Sequence, residues 1–264
     1  KAIFKKDLLI ALSYRGSFVM EFATIIFTLF LFFLISNYLD SQTNYTNGEL
    51  KKGYFHYVFW GFISLDIMVR LVGASSKDLL NYKTSGILEE LIQLPSAQYT
   101  ILLGSNLYPM FICFIRTIIS LVVASILAGE LFLSLSDIIF FIINLFFLIT
   151  SFILIGLISV SYSLFFFKIG PLPILFISIS IIFGSAYFPV QALPYPLNNL
   201  SFVTPLSSAL ENFRMLSLDN LNLMTFFSNL FEISILNFVF GILAYLSLKA
   251  SLKYARDNGT FLHY

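Results

Sequence analysis

The chain has little of what soluble enzymes use. One cysteine, Cys113, and two histidines, His56 and His263, occur in 264 residues. A single cysteine excludes an intrachain disulfide and any zinc cluster built from cysteines. Two isolated histidines supply no metal-holding cluster. No G-x-x-x-x-G-K-[ST] loop is present, so the chain carries no P-loop chemistry on ATP. Neither a G-x-S-x-G elbow nor an H-E-x-x-H helix occurs. Charge is scarce as well. Asp, Glu, Lys and Arg make up 11% of the residues, against about 25% in an ordinary soluble domain. Fifteen basic and 14 acidic residues leave a net charge of +1, which gives no electrostatic footprint for a nucleic acid.

Apolar residues fill the space that charge leaves. They form 58% of the chain, with 32 Phe and a mean hydropathy of +0.90, so lipid is the expected solvent. A bilayer core of about 30 Å requires roughly 20 apolar residues in helical form. Six runs satisfy this: Phe18–Ser36, Tyr54–Gly73, Ile101–Ala128, Ile138–Phe167, Leu172–Val190 and Phe227–Leu248. The third and fourth exceed the minimum and are expected to tilt, to kink near Pro109 or to run past the bilayer. Continuous apolarity at this length predicts helices rather than barrel strands. Lys1–Arg15 is basic but lacks an A-x-A-like cleavage site and is not read as a signal peptide. No repeat of fixed period and no second domain is visible.

Basic residues near the span ends set the expected orientation. Eleven fall on the side of the N-terminus, among them Lys5, Lys6, Arg15, Arg70, Lys77, Lys83, Lys249 and Lys253. Three, Lys51, Lys52 and Arg214, fall on the other. The bias predicts that both termini and the 74–100 loop are cytoplasmic. Asp40–Gly53 then reads as a polar outer loop. Gln191–Thr225 is broken by Pro194, Pro196 and Pro205, yet too apolar for a free loop. It is expected to form re-entrant outer helices over 191–225, packed where irregular backbone is satisfied by protein.

Within that cytoplasmic loop, residues 84–95 read Thr-Ser-Gly-Ile-Leu-Glu-Glu-Leu-Ile-Gln-Leu-Pro. Ser85 caps a short helix, Glu89 and Glu90 lie where its dipole favours carboxylates, and Pro95 stops it. So short a helix needs a surface to dock on. An amphipathic loop helix resting on the membrane accounts for the segment taken alone.

Four stretches resemble the membrane subunit of ABC-2 type exporters. Phe4-Lys5-Lys6-Asp7 through Arg15 is similar to that family's interfacial connecting helix, here 1–16. Ser85-Gly86-Ile87-Leu88-Glu89-Glu90-Leu91-Ile92-Gln93-Leu94-Pro95 resembles its G-x-L-E-x-L-x-x-x-P coupling helix. Ile101-Leu102-Leu103-Gly104-Ser105 is similar to its entry into the third span. Gly184-Ser185-Ala186-Tyr187-Phe188-Pro189-Val190, Leu193-Pro194 and Thr204-Pro205-Leu206-Ser207-Ser208-Ala209-Leu210-Glu211 resemble its outer segment, with Thr204 where Asn is common.

The resemblance implies an all-α polytopic membrane protein forming a single 1–264 transmembrane domain. It has six transmembrane helices, an N-terminal interfacial helix, a coupling helix at 84–95 and re-entrant outer helices between spans 5 and 6. It implies an export permease in a bacterial inner membrane, paired with a second copy or a close paralogue and with two ABC ATPase subunits. ATP and Mg would then sit on the partner ATPase, with no cofactor on this chain. Coupling residues would be Gly86, Leu88, Glu89, Glu90, Leu91 and Pro95. Residues 187–205 would close the outer mouth, with Tyr187, Phe188, Pro189, Phe202 and Glu211 as gate candidates. The lack of a wide hydrophilic stripe points to a hydrophobic or amphipathic cargo such as a drug, lipid or lipid-linked glycan. A non-transporting membrane anchor or regulatory subunit for an ATPase is the alternative.

The intramembrane charges have two readings. His56, Asp66 and Arg70 are pathway candidates by default. Asp66 and Arg70 are also spaced i, i+4, so an intrahelical ion pair accounts for both. Glu21 and Arg116 lie deep enough to need partners, which the sequence does not name. Phe165-Phe166-Phe167 reads as packing or lipid-facing. An intramembrane protease with E-E-x-x-x-R fails, since Leu94 stands where that motif needs Arg.

Overall fold

The computed structural model describes residues 2–42, 53–84, 86, 104–166, 171–189, 194–195, 197–218 and 221–257. Eight α-helices occur there: α1 (Ala2–Ser13), α2 (Arg15–Gln42), α3 (Tyr54–Thr84), α4 (Leu107–Ala128), α5 (Ile138–Phe166), α6 (Leu172–Phe183), α7 (Pro205–Ser217) and α8 (Leu223–Asp257). Short 3-10 turns cover Leu135–Asp137 and Leu197–Val203. Among the described residues there is no strand. Helices α2, α3, α4, α5 and α8 are long and apolar enough to cross a membrane. The chain is therefore an all-helical integral membrane protein, as its composition requires, because a helix satisfies its own backbone in lipid.

The long helices alternate between two ends of one bundle. At one end α1 packs against α4 and α3, with Phe4 edge-on to Phe111 and Lys6 donating to the Tyr82 hydroxyl. At the other, α7 lies across α3 and α5, with Trp60 stacked on Phe213 at 5.1 Å. These are called the α1 end and the α7 end below. Helix α3 is the most buried of the long helices and α2 the least. Trp60, Phe59, Phe152 and Phe213 form the centre of the core. Small and polar residues bring the inner helices close, as is usual where no hydrophobic drive separates helix from lipid. A Cβ on Gly156 of α5 would stand 2.9 Å from the Leu71 carbonyl oxygen of α3. Ser76 and Ser159 share a hydrogen bond of 3.1 Å between the same two helices.

Several boundaries differ from the apolar runs. Helix α3 continues past Gly73 to Thr84, so the first part of the expected 74–100 loop is helical. It stays ordered because Ser76 bonds α5 and Tyr82 packs on a second core formed by Leu157, Leu164, Leu248 and Leu252. Helix α4 begins at Leu107, which places Pro109 in its first turn. A proline there removes no intrahelical bond and needs no kink. Gly129 ends α4 with φ 70°, a left-handed cap.

The fifth run forms a helix of only 12 residues, Leu172–Phe183. At 1.5 Å per residue it spans about 18 Å, short of the roughly 30 Å core. It stops because Gly184 and Ser185 turn the chain into the bundle. Ser185 has φ 54°, and a Cβ on Gly184 would meet Leu206 Cδ2 at 2.6 Å. The described part of 191–225 is partly helical as well. Pro205 opens α7 after an extended Thr204, and nine residues of this 13-residue helix are buried.

Candidate functional site

Two polar regions sit within the apolar bundle, one toward each end. Near the α1 end, four charged side chains from three helices form one network. Arg116 of α4 grips Asp66 of α3 through both nitrogens of its fork, Nε to Oδ2 and Nη2 to Oδ1, each at 2.8 Å. Its Nη1 donates to the Glu21 backbone carbonyl of α2 at 2.7 Å. Arg70 of α3 donates through Nη1 to Glu21 Oε1, and through Nε to Asp66 Oδ2 at 3.3 Å. Two cations and two carboxylates cancel. A bidentate, charge-assisted pair is among the stronger hydrogen-bonded arrangements, and neutrality lets it persist where a lone charge would be expelled. Arg116 is 4% exposed, whereas Glu21, Asp66 and Arg70 turn partly toward a cavity of about 870 Å³.

Lys6, Asp7 and Tyr82 line the same cavity. Lys6 bridges Asp7 at 3.2 Å and the Tyr82 hydroxyl at 3.3 Å. Partial burial works against its charge, but these two partners outweigh that and raise its pKa. The Tyr82 contact ties α1 to the end of α3.

At the α7 end, a cavity of about 560 Å³ opens among α3, α7, α8 and the segment after α6. Arg214 of α7 forms its structural corner. The guanidinium carbon lies 3.5 Å above the centre of the Tyr57 ring. Its Nη2 donates to the Ser185 carbonyl at 2.6 Å, and Nη1 to the Ser185 hydroxyl oxygen at 3.1 Å. The Tyr57 hydroxyl also donates to the Ser185 carbonyl, at 3.1 Å. These contacts hold Ser185 in a left-handed conformation that a non-glycine residue adopts at a cost of about 1–3 kcal/mol. Tyr57→Phe should remove one of the three donors and lower stability by about 1 kcal/mol. Thermal unfolding in detergent reads this, and an unchanged midpoint would show that Arg214 alone holds the turn.

An asparagine relay runs behind the cavity. Asn229 Nδ2 donates to Asn212 Oδ1 at 3.0 Å, Asn212 Nδ2 to Asn144 Oδ1 at 3.2 Å, and Asn144 Nδ2 to the Ala209 carbonyl at 2.9 Å. A backbone carbonyl can only accept, so Asn144 must present its amide nitrogen there. That choice fixes every amide up the chain.

The structure separates the pathway candidates. His56, Pro189, Phe202 and Glu211 line the α7-end cavity, and Asp66 and Arg70 line the α1-end cavity. His56 and Asp66 are ten positions apart on α3, a rise of about 15 Å. His56 is buried and stacks on Phe132 at 4.1 Å. Tyr187 lines neither cavity and packs on Phe32 of α2, and Phe188 is half-buried. Of the coupling group, Gly86 is exposed with φ 73° just after α3. Leu88, Glu89, Glu90, Leu91 and Pro95 lie outside the described residues.

Asp66 and Arg70 do pair, but the tighter partner of Asp66 is Arg116, and Arg70 reaches on to Glu21. The balance of two acids and two bases inside the second and third spans and their neighbour was the available signal. Glu232 and the relay asparagines escaped sequence reasoning altogether. A carboxylate ten residues into α8, and an amide inside the apolar α5, are the marks that betray them.

No family model matches this chain, and no curated protein does either.

Proposed function

We propose that the chain is the permease subunit of an ATP-driven ABC-2 type exporter. The observation that carries this reading is the stretch Ser85–Pro95, with its paired carboxylates and closing proline, placed between two membrane-length helices. Three further features support it. A separate helix, α1, precedes the first long helix. A short buried helix, α7, starts at Thr204-Pro205. The sequence contains no phosphate loop, so ATP hydrolysis would belong to a partner.

In this reading the α1 end faces the cytoplasm and carries both termini, and the protein sits in a bacterial inner membrane. Helix α6, extended by residues 184–189, makes the fifth of six crossings. The 3-10 turn at Leu197–Val203 and α7 re-enter the outer leaflet. Two copies, or this chain and a paralogue, enclose the path, and two ATPase subunits dock at 84–95. Closure of the ATPases on nucleotide pushes that segment, and α3 transmits the movement because the segment follows it directly. The charge network would then link α3 to α2 and α4, so that the three helices move together. The cargo is hydrophobic or amphipathic.

Charge reversal tests the docking. Glu90→Lys, alone or with Glu89→Lys, should leave expression and thermal stability nearly intact, since each carboxylate adds only about 0.3–1 kcal/mol to its helix. Against a basic ATPase surface the same change places like charges together, a cost of several kcal/mol. Co-purification and ATPase stimulation should both fall sharply. Full binding and stimulation in the double variant would remove this interface from the proposal. An ATPase stimulated in vesicles that move no cargo would make the chain an anchor instead.

A further inference from the structure

In the α7-end cavity, three hydroxyls on α7 and α8 have their protons committed to the protein. The Ser208 hydroxyl gives its proton to Glu232 Oε2 at 2.9 Å. Ser207 donates to the Ser201 and Thr204 carbonyls, and Thr225 to the Asn222 carbonyl. Each hydroxyl thus has its one proton committed to the protein and only lone pairs to offer. Arg214 Nη1 and Nη2 are directed at Ser185 rather than at a carboxylate.

The asparagine relay extends this polarity to a fully determined atom. Because the relay ends on the Ala209 carbonyl, Asn229 must donate its Nδ2 inward. Its Oδ1 is therefore the atom left over, on a side chain only 8% exposed that lines the cavity. Among the described residues that oxygen receives no hydrogen bond. Glu232 stands one helical turn further along the same face of α8, inside a membrane-length apolar helix. Among the described residues its bond to Ser208 is its sole hydrogen bond, and neither it nor Glu211 has a basic nitrogen within 4 Å. Arg214 lines the same cavity but is turned to Ser185, so the two carboxylates and the acceptor oxygen of Asn229 leave an excess of negative charge beside an open volume of about 560 Å³.

We propose that this cavity binds an organic ammonium group, with Glu232 as counter-charge, Asn229 Oδ1 as second acceptor and Glu211 at the rim. A primary ammonium carries three N–H donors and one positive charge, which matches the Glu232 carboxylate and the Asn229 oxygen better than a phosphate or a hydroxyl does. The volume accommodates a headgroup with some attached carbon. The inference deepens the export reading by naming the headgroup chemistry of an amphipathic cargo. The binding it asserts requires no ATPase.

The test uses the full chain in nanodiscs of phosphatidylglycerol, which contribute no amine, with the cation uptake of protein-free discs subtracted because this lipid is anionic. Benzylammonium and benzyl alcohol, of similar shape and different charge, are titrated calorimetrically. Benzylammonium should bind and the alcohol should not. Glu232→Gln, which retains the Ser208 bond, should weaken benzylammonium binding by at least roughly tenfold, and Glu211→Gln should weaken it less. Asp7→Asn, at the opposite end, should leave it unchanged. Adding phosphatidylethanolamine to the discs separates two sources of the ammonium. Competition would assign the site to a lipid headgroup, and its absence to a soluble amphiphile. Equal binding of amine and alcohol, no binding of either, or full affinity in Glu232→Gln would overturn the proposal. The amine–alcohol comparison needs no variant, so it stands even if the substitution lowers yield. Amine binding by an unsubstituted chain that docks no ATPase would overturn the export reading alone.

Discussion

Arg116→Leu should be the most damaging single change in the charge network, lowering stability by about 3–5 kcal/mol. The side chain is nearly fully buried, and three of its nitrogens are committed, two to Asp66 and one to the Glu21 carbonyl. Leucine leaves two carboxylates facing Arg70 alone, a net charge of −1 inside an apolar bundle. Asp66→Leu in the same background should recover much of the loss, because it leaves the neutral Arg70–Glu21 pair. Thermal midpoints in one detergent for the two single variants and the double variant measure the coupling. The effect should also be nearly independent of ionic strength, as buried charges are poorly screened. Additive losses in the double variant would show that Arg116 and Asp66 are not energetically one unit.

Gly61→Ala is expected to be nearly as severe, for a steric reason. A Cβ at Gly61 would stand 1.9 Å from the Ala186 carbonyl oxygen and 2.7 Å from its carbonyl carbon. Both are backbone atoms of a segment clamped by Tyr57 and Arg214, so no rotamer change relieves the overlap. The 184–189 segment must move away from α3, at a cost of about 1–3 kcal/mol or more. That movement should also open the α7-end cavity and weaken anything bound there. Gly241→Ala in α8 is the control. Nothing lies within 4 Å of its Cβ, and alanine should gain up to about 1 kcal/mol of helix preference. Similar midpoints for the two variants would mean that α3 and the 184–189 segment are not in fixed contact.

Some of this arrangement is legible in the sequence and some is not. The second apolar run, Tyr54–Gly73, found the start of α3 but not its end, because Ala74–Thr84 are polar enough to read as loop. They remain helical through Ser76, which bonds Ser159, and Tyr82, which packs on the second core. The fifth run read as a full span because Ala186, Tyr187, Phe188 and Val190 continue the apolar run past the helix end. The break comes from Gly184 and Ser185, whose turn is stabilised by Arg214, 29 residues later. The i, i+4 spacing of Asp66 and Arg70 was readable, yet their other partners lie 50 and 49 residues away.

By itself the sequence determined the class. Long apolar runs with so few charges admit only helices in lipid, since each backbone group must be satisfied within its own segment. It also determined that Glu21, Asp66 and Arg116 would each need a partner. Only the tertiary structure decided which partners those are, and that Glu232 and Asn229 stand together at one cavity. Helix formation follows from neighbours in sequence, whereas pairing across helices depends on which faces are brought together, and a period of 3.6 residues carries no information about the helix opposite.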